Sequence, residues 1–148
     1  MDKQVVHNML MASLEDKSEM LKNAMFEIRE STATESKSTA GDKHETARAM
    51  AQLEQEKIAS QIAELDKIKS FLLQLKPEIN CTRVVPGSLI ETTQGWYYIS
   101  VGFGSFQVEN KRVFTLNIQA PLGRVFSGKQ QGDEVTWNGQ LIKIIHIY

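Results

Sequence analysis

Two series of apolar residues spaced seven apart constrain the fold of this chain more than any other feature. Leu14, Leu21 and Ile28 form the first, accompanied by Leu10, Ala24 and Met25; Ala51, Ile58, Leu65 and Leu72 form the second, joined by Ile62, Ile68 and Leu75. A period of seven places a narrow apolar stripe along a helix, and such a stripe is stable only when another helix covers it. The two series match in length, so the simplest cover for each is the other, folded back as an antiparallel coiled-coil hairpin. Between them, residues 31–41 are rich in Ser and Thr, whose hydroxyls compete with helical hydrogen bonding, and this interval must hold the hairpin's tip. Arms of about 30 residues make a rod about 45 Å long at about 1.5 Å rise per residue.

Lys76-Pro77 ends the helical pattern, because proline disfavours helix in the residue before it and cannot extend the hydrogen-bond ladder. Beyond it the period becomes two. Residues 83–91, 96–101, 106–109, 113–118, 134–137 and 140–147 read as strands. Asn138-Gly139, flanked by Val135, Trp137, Ile142 and Ile144, calls for a two-residue hairpin turn, and residues 121–128 read as a short helix with Pro in its first turn and Gly at its end. The expected fold is α+β: a helical hairpin over residues 1–76, then an antiparallel β domain with one short helix over residues 77–148.

With 41% hydrophobic and 24% charged residues among 148, the composition is that of an ordinary folded protein. No run approaches the roughly 20 apolar residues of a membrane span, and Met1-Asp2-Lys3-Gln4 lacks the pattern of a secretory signal, so the cytoplasm is the expected location. Cys81 is the sole cysteine, and His7, His44 and His146 lie far apart, so neither an internal disulfide nor a zinc site built on cysteine pairs or histidines is expected. Net charge is −1, which argues against a protein gripping duplex nucleic acid through a basic field.

Gly123, Gly128 and Lys129 reproduce the spacing of a phosphate-binding loop, but Gln130 stands where a magnesium-holding Ser or Thr belongs and no long helix follows. Asn80-Cys81-Thr82 matches a glycosylation sequon that a cytoplasmic chain would not use. Gly102-Phe103-Gly104 reads as a bend, and Trp96-Tyr97-Tyr98 as sheet packing, since few basic residues are interleaved with them. Gly41-Asp42-Lys43-His44-Glu45 admits two readings. Asp42 and Glu45 have the spacing of a helix-capping box. The same spacing puts two carboxylates on one side of a hairpin tip, where they can ligand a hard cation such as Mg²⁺.

The tip sequence Gly41-Asp42-x-x-Glu45, followed by an Ala-, Gln- and Glu-rich helix at 47–56, resembles the signature of the Gre transcript-cleavage family. Pro86-Gly87-Ser88, Ala120-Pro121-Leu122-Gly123-Arg124, Gly128-Lys129 and Gly132-Asp133-Glu134-Val135 resemble the Gre C-terminal domain, and the likeness covers residues 9–148. The resemblance implies an FKBP-like C-terminal domain that docks on RNA polymerase, and a coiled coil that enters its secondary channel. It implies that Asp42 and Glu45 help hold a second Mg²⁺ of the polymerase and orient water for cleavage of backtracked RNA, so that the chain assists in trans and is not itself an enzyme. It also brings the 3′ end of the transcript within reach. Where the family commonly has Ser-Glu-Asn-Ala-Glu-Tyr, this chain has His44-Glu45-Thr46-Ala47-Arg48-Ala49. Arg48 adds a positive charge one turn beyond Glu45, able to pair with that acid or to meet a phosphate.

Three rivals accompany this expectation. One is a regulator of the same fold that binds the channel without promoting cleavage. Another is a coiled-coil adapter, set apart by its mass in solution, because a hairpin that satisfies both seams internally is a monomer. The third, a prolyl isomerase, has only the FKBP-like resemblance behind it.

Overall fold

In the computed structural model, residues 1–35 and 41–148 are described, apart from the side chains of Glu35 and Asp42. Two long helices come first, α1 (Lys3–Glu35) and α2 (Gly41–Leu72), each free of proline and of internal glycine. Six strands follow: β1 (Leu89–Thr92), β2 (Gly95–Ser100), β3 (Ser105–Val108), β4 (Lys111–Asn117), β5 (Glu134–Trp137) and β6 (Gln140–Ile147), with a short helix α3 (Pro121–Phe126) between β4 and β5. The class is therefore α+β. Among the described residues, no helix is long and apolar enough to cross a membrane. The chain forms two compact units, Ser13–Lys69 and a second made of Met1–Ala12 with Ser70–Tyr148.

Within the helical unit, Glu15 pairs with Lys69, and Met25 and Arg29 share a groove with Ala59 and Arg48, so α1 and α2 run in opposite directions. Leu14, Met25, Ile58 and Leu65 are buried, and Leu21, Ile28, Ala51 and Ile62 are half-buried. Burying a leucine or isoleucine fully stabilises by roughly 1.5–3 kcal/mol, so this stripe is what holds two otherwise polar helices together. The first helix runs further than the Ser/Thr-rich sequence suggests. Thr32 and Thr34 donate their hydroxyls to the carbonyls of Ile28 and Glu30 at 2.8 and 3.0 Å, which satisfies them on the helix itself rather than in a turn. At the other end α2 stops at Leu72, before the expected break at Pro77, and tightens into turns from Gln74 N–H to Phe71 O and from Leu75 N–H to Leu72 O.

The sheet order is β3-β4-β2-β1-β6-β5. An all-antiparallel sheet was the expectation; β2 and β4 pair parallel, with Trp96 opposite Val113 and Ser100 opposite Asn117, so the sheet is mixed. Chain order is the reason. After β2, residues 101–104 carry the chain past one strand position to the edge, where β3 lies, and β4 returns between β3 and β2. Thr115 pins this passage, its hydroxyl accepting from the Phe103 and Gly104 amides at 2.9 and 3.0 Å. Residues 83–88 are also not strand. Val84 exchanges backbone hydrogen bonds with Gly128 and Lys129, and only Arg83 and Gln130 form a bridge.

Asn138-Gly139 makes the expected turn, both residues at positive φ (48° and 75°). A second turn of the same kind, Glu109-Asn110 at 49° and 62°, joins β3 to β4 without a glycine to announce it. One face of the sheet is covered by α3: Phe126 and Val84 pack with Ile90, Ile99, Val135, Ile142 and Ile144. The opposite face carries Trp96, Tyr98 and Ser100, all buried, and takes the N-terminal turns of α1 through His7.

Candidate functional site

Of the two carboxylates singled out at the tip, Glu45 lies exposed in the first turns of α2, where its oxygens are open to a cation from outside the chain. The side chain of Asp42 lies outside the described residues, although its backbone belongs to α2. Among the described residues, no three His, Cys, Asp or Glu side chains lie close enough together to hold a metal ion.

The two helices leave a groove of about 490 Å³ between them, and the connecting residues 36–40, where the hairpin's tip was expected, lie outside the described residues. Arg29 and Thr32 line it from α1, and Arg48, Gln52 and Glu56 from α2. Glu56 accepts a hydrogen bond from the Gln52 amide at 3.2 Å. Arg48 thus lines a cavity with a second arginine, an arrangement that its place beside Glu45 in sequence did not reveal. That Arg29 and Arg48 line one groove follows from which α1 residues lie opposite which α2 residues, and sequence spacing alone does not fix this.

A third cluster lies in the sheet-bearing unit, where the N-terminal turns of α1 meet β2. His7 Nδ1 and the Tyr98 hydroxyl are 2.8 Å apart, with the rings edge to face. Lys3, buried, donates to the Ile79 carbonyl at 2.5 Å and approaches Cys81 Sγ at 3.8 Å. Burial pushes the Lys3 amine below its usual range, against the pull of Cys81 and Glu78. Burial likewise lowers His7, opposed by Glu78, and raises Tyr98. Near neutral pH, Tyr98 is thus a protonated phenol and His7 a neutral imidazole, the two forms that satisfy each other.

The sign of the resulting pH dependence follows from linkage. The folded state holds the His7 pKa below its ordinary value of 6.5, so the unfolded chain takes up that proton first. Stability from this pair is complete above about pH 6.5 and falls as pH drops from there through the lower folded-state value. Urea midpoints measured across this range should decline toward acid, and a His7→Gln variant should decline less steeply. Equal slopes for the two proteins would contradict this account.

The apparent phosphate-loop residues have structural roles. Gly123 is buried in α3, Gly128 follows the helix at φ +74°, and the Lys129 carbonyl accepts from Val84. Trp96 and Tyr98 are buried and Tyr97 half-buried, with Tyr97 packed on Phe114 and Phe126. Compared with protein families, with characterised proteins and with solved structures, this chain has no significant match.

Proposed function

We propose that this chain is a Gre-like transcription elongation factor: a monomeric, cytoplasmic protein whose coiled-coil hairpin enters the secondary channel of RNA polymerase while an FKBP-like C-terminal domain docks outside. In this reading Asp42 and Glu45 are supplied in trans to the second Mg²⁺ of the polymerase, which fills the rest of its octahedral shell from polymerase and water. Cleavage of backtracked RNA is then the polymerase's own reaction, and this chain is not an enzyme. The observation that carries the proposal is the antiparallel pairing of α1 and α2, 33 and 32 residues long, with exposed Glu45 opening the second helix three residues after Asp42. The mixed α+β architecture, two long helices followed by a sheet with one short helix, agrees with it.

Stalled elongation complexes test the proposal. Adding the protein should release short 3′ RNA fragments, and Asp42→Ala or Glu45→Ala should slow that release about 10- to 100-fold, the usual loss when a metal's supporting ligand is removed. A second reading, a channel-binding regulator without cleavage, is favoured by Arg48, which places a cation where the family motif carries an acid. It predicts competition for the polymerase channel with no fragment release. If the protein instead fails to bind polymerase and forms a stable dimer in solution, both readings give way to a coiled-coil adapter.

A further inference from the structure

We propose that the groove between α1 and α2 binds a free nucleoside di- or triphosphate, an assignment that stands independently of the polymerase reading. Arg29 and Arg48 enter one cavity from opposite helices. A guanidinium keeps its charge at any physiological pH, and two of them lining one groove make it a place of positive charge that favours an anion. Among the described residues, neither has an ion-pair partner. Glu56, the carboxylate that lines the cavity, has one oxygen bonded to Gln52 of its own helix, and two guanidinium charges stand against its single negative charge. The planar forks of two arginines match the oxygens of a phosphate chain.

A second groove of about 480 Å³ adjoins the first through Arg29, Met25 and Ala59, and it adds Lys22, Phe26 and Ile62. Phe26 is 64% exposed although its ring is among the largest apolar surfaces on α1, and Lys22 precedes it by one turn. An exposed aromatic ring flanked by cations is a stacking platform for a base. Phe26 and Arg29 are three residues apart on one helix, so their side chains start about 5–6 Å from each other. That spacing lets a base rest on Phe26 while its 5′-phosphates reach Arg29 and Arg48. A compact ligand fits better than a polyanion, because binding an extended nucleic acid requires a long basic track and this protein carries a net charge of −1.

Isothermal titration of the full chain with ATP, inorganic tripolyphosphate and a short single-stranded RNA tests the assignment. ATP should bind one to one, and tripolyphosphate should compete with it. Arg29→Gln and Arg48→Gln should each weaken ATP at least about tenfold, the effect of losing one charge-assisted contact. Phe26→Ala should weaken ATP while leaving tripolyphosphate unchanged, which separates the base subsite from the phosphate subsite. All three side chains are exposed, and circular dichroism of each variant confirms that folded proteins are being compared. No ATP binding at about 1 mM, ATP affinity unchanged in both arginine variants, or RNA binding that ATP does not displace would each overturn the proposal.

Discussion

Replacing Gly123 by alanine is expected to destabilise the sheet-bearing unit by about 3 kcal/mol or more, the upper end of what overpacking a well-filled interior costs. A Cβ on Gly123 would lie 2.1 Å from the Asn117 carbonyl oxygen and 2.8 Å from Ile118 Cα, both backbone atoms that cannot swing aside. Relief requires moving α3 away from the end of β4, and α3 delivers Phe126 to the core. Gly128→Ala is the matching control. Gly128 has open space around its missing Cβ but a φ of +74°, so alanine there meets only the conformational penalty, about 1–2 kcal/mol. Denaturant unfolding followed through Trp96 and Trp137 reads both changes. A Gly123→Ala protein as stable as the Gly128→Ala protein would show that α3 is free to shift.

Truncating Tyr98 to alanine should cost about 3–5 kcal/mol, as for other large buried aromatics. Tyr98 is fully buried opposite Leu89 of β1, and its hydroxyl reaches His7 of α1. Removal opens a cavity in the face of the sheet that receives α1. Tyr98→Phe separates packing from polarity. The ring stays, but His7 Nδ1 loses its partner in a buried place, a loss of about 1–3 kcal/mol. The two variants should therefore differ by the packing contribution, and Tyr98→Phe should keep the acid-side decline attributed to His7, because burial rather than the hydroxyl lowers that group. Similar midpoints for the alanine and phenylalanine variants would mean that the hydroxyl, and not the ring, holds this face.

The parts of the molecule that could be read from sequence are those governed by local periodicity. The stripe of Leu14, Ile58 and Leu65 is buried because a helix of known pitch can present those positions only on one side. Asn138-Gly139 turns where it does because these residues tolerate positive φ. Glu109-Asn110 adopts the same geometry without such a marker, so only the pairing of β3 with β4 explains its position. In β6, Ile142 and Ile144 alternate as expected, but the register shifts opposite Glu91 and Thr92 and Ile147 also packs against the core. A period of two cannot foresee an inserted residue.

The candidate sites divide along the same line. Glu45 was visible because a family-like motif surrounds it, and Arg48 because it departs from that motif. Arg29, Phe26 and Lys3 carry no sequence signal that separates them from ordinary helix residues, although Lys3 is buried beside Ile79 and Cys81.

By itself, the sequence determined that two long helices precede a strand-rich half, which residues face inward along those helices, and where one hairpin must turn. These follow from bond geometry over a few neighbouring residues. The parallel pairing of β2 with β4, the contact of His7 with Tyr98, the close approach of Gly123 to Asn117 and the groove shared by Arg29 and Arg48 were decided only by tertiary structure. Each joins residues distant in the chain, and their proximity is set by the packing of the whole fold rather than by any local preference.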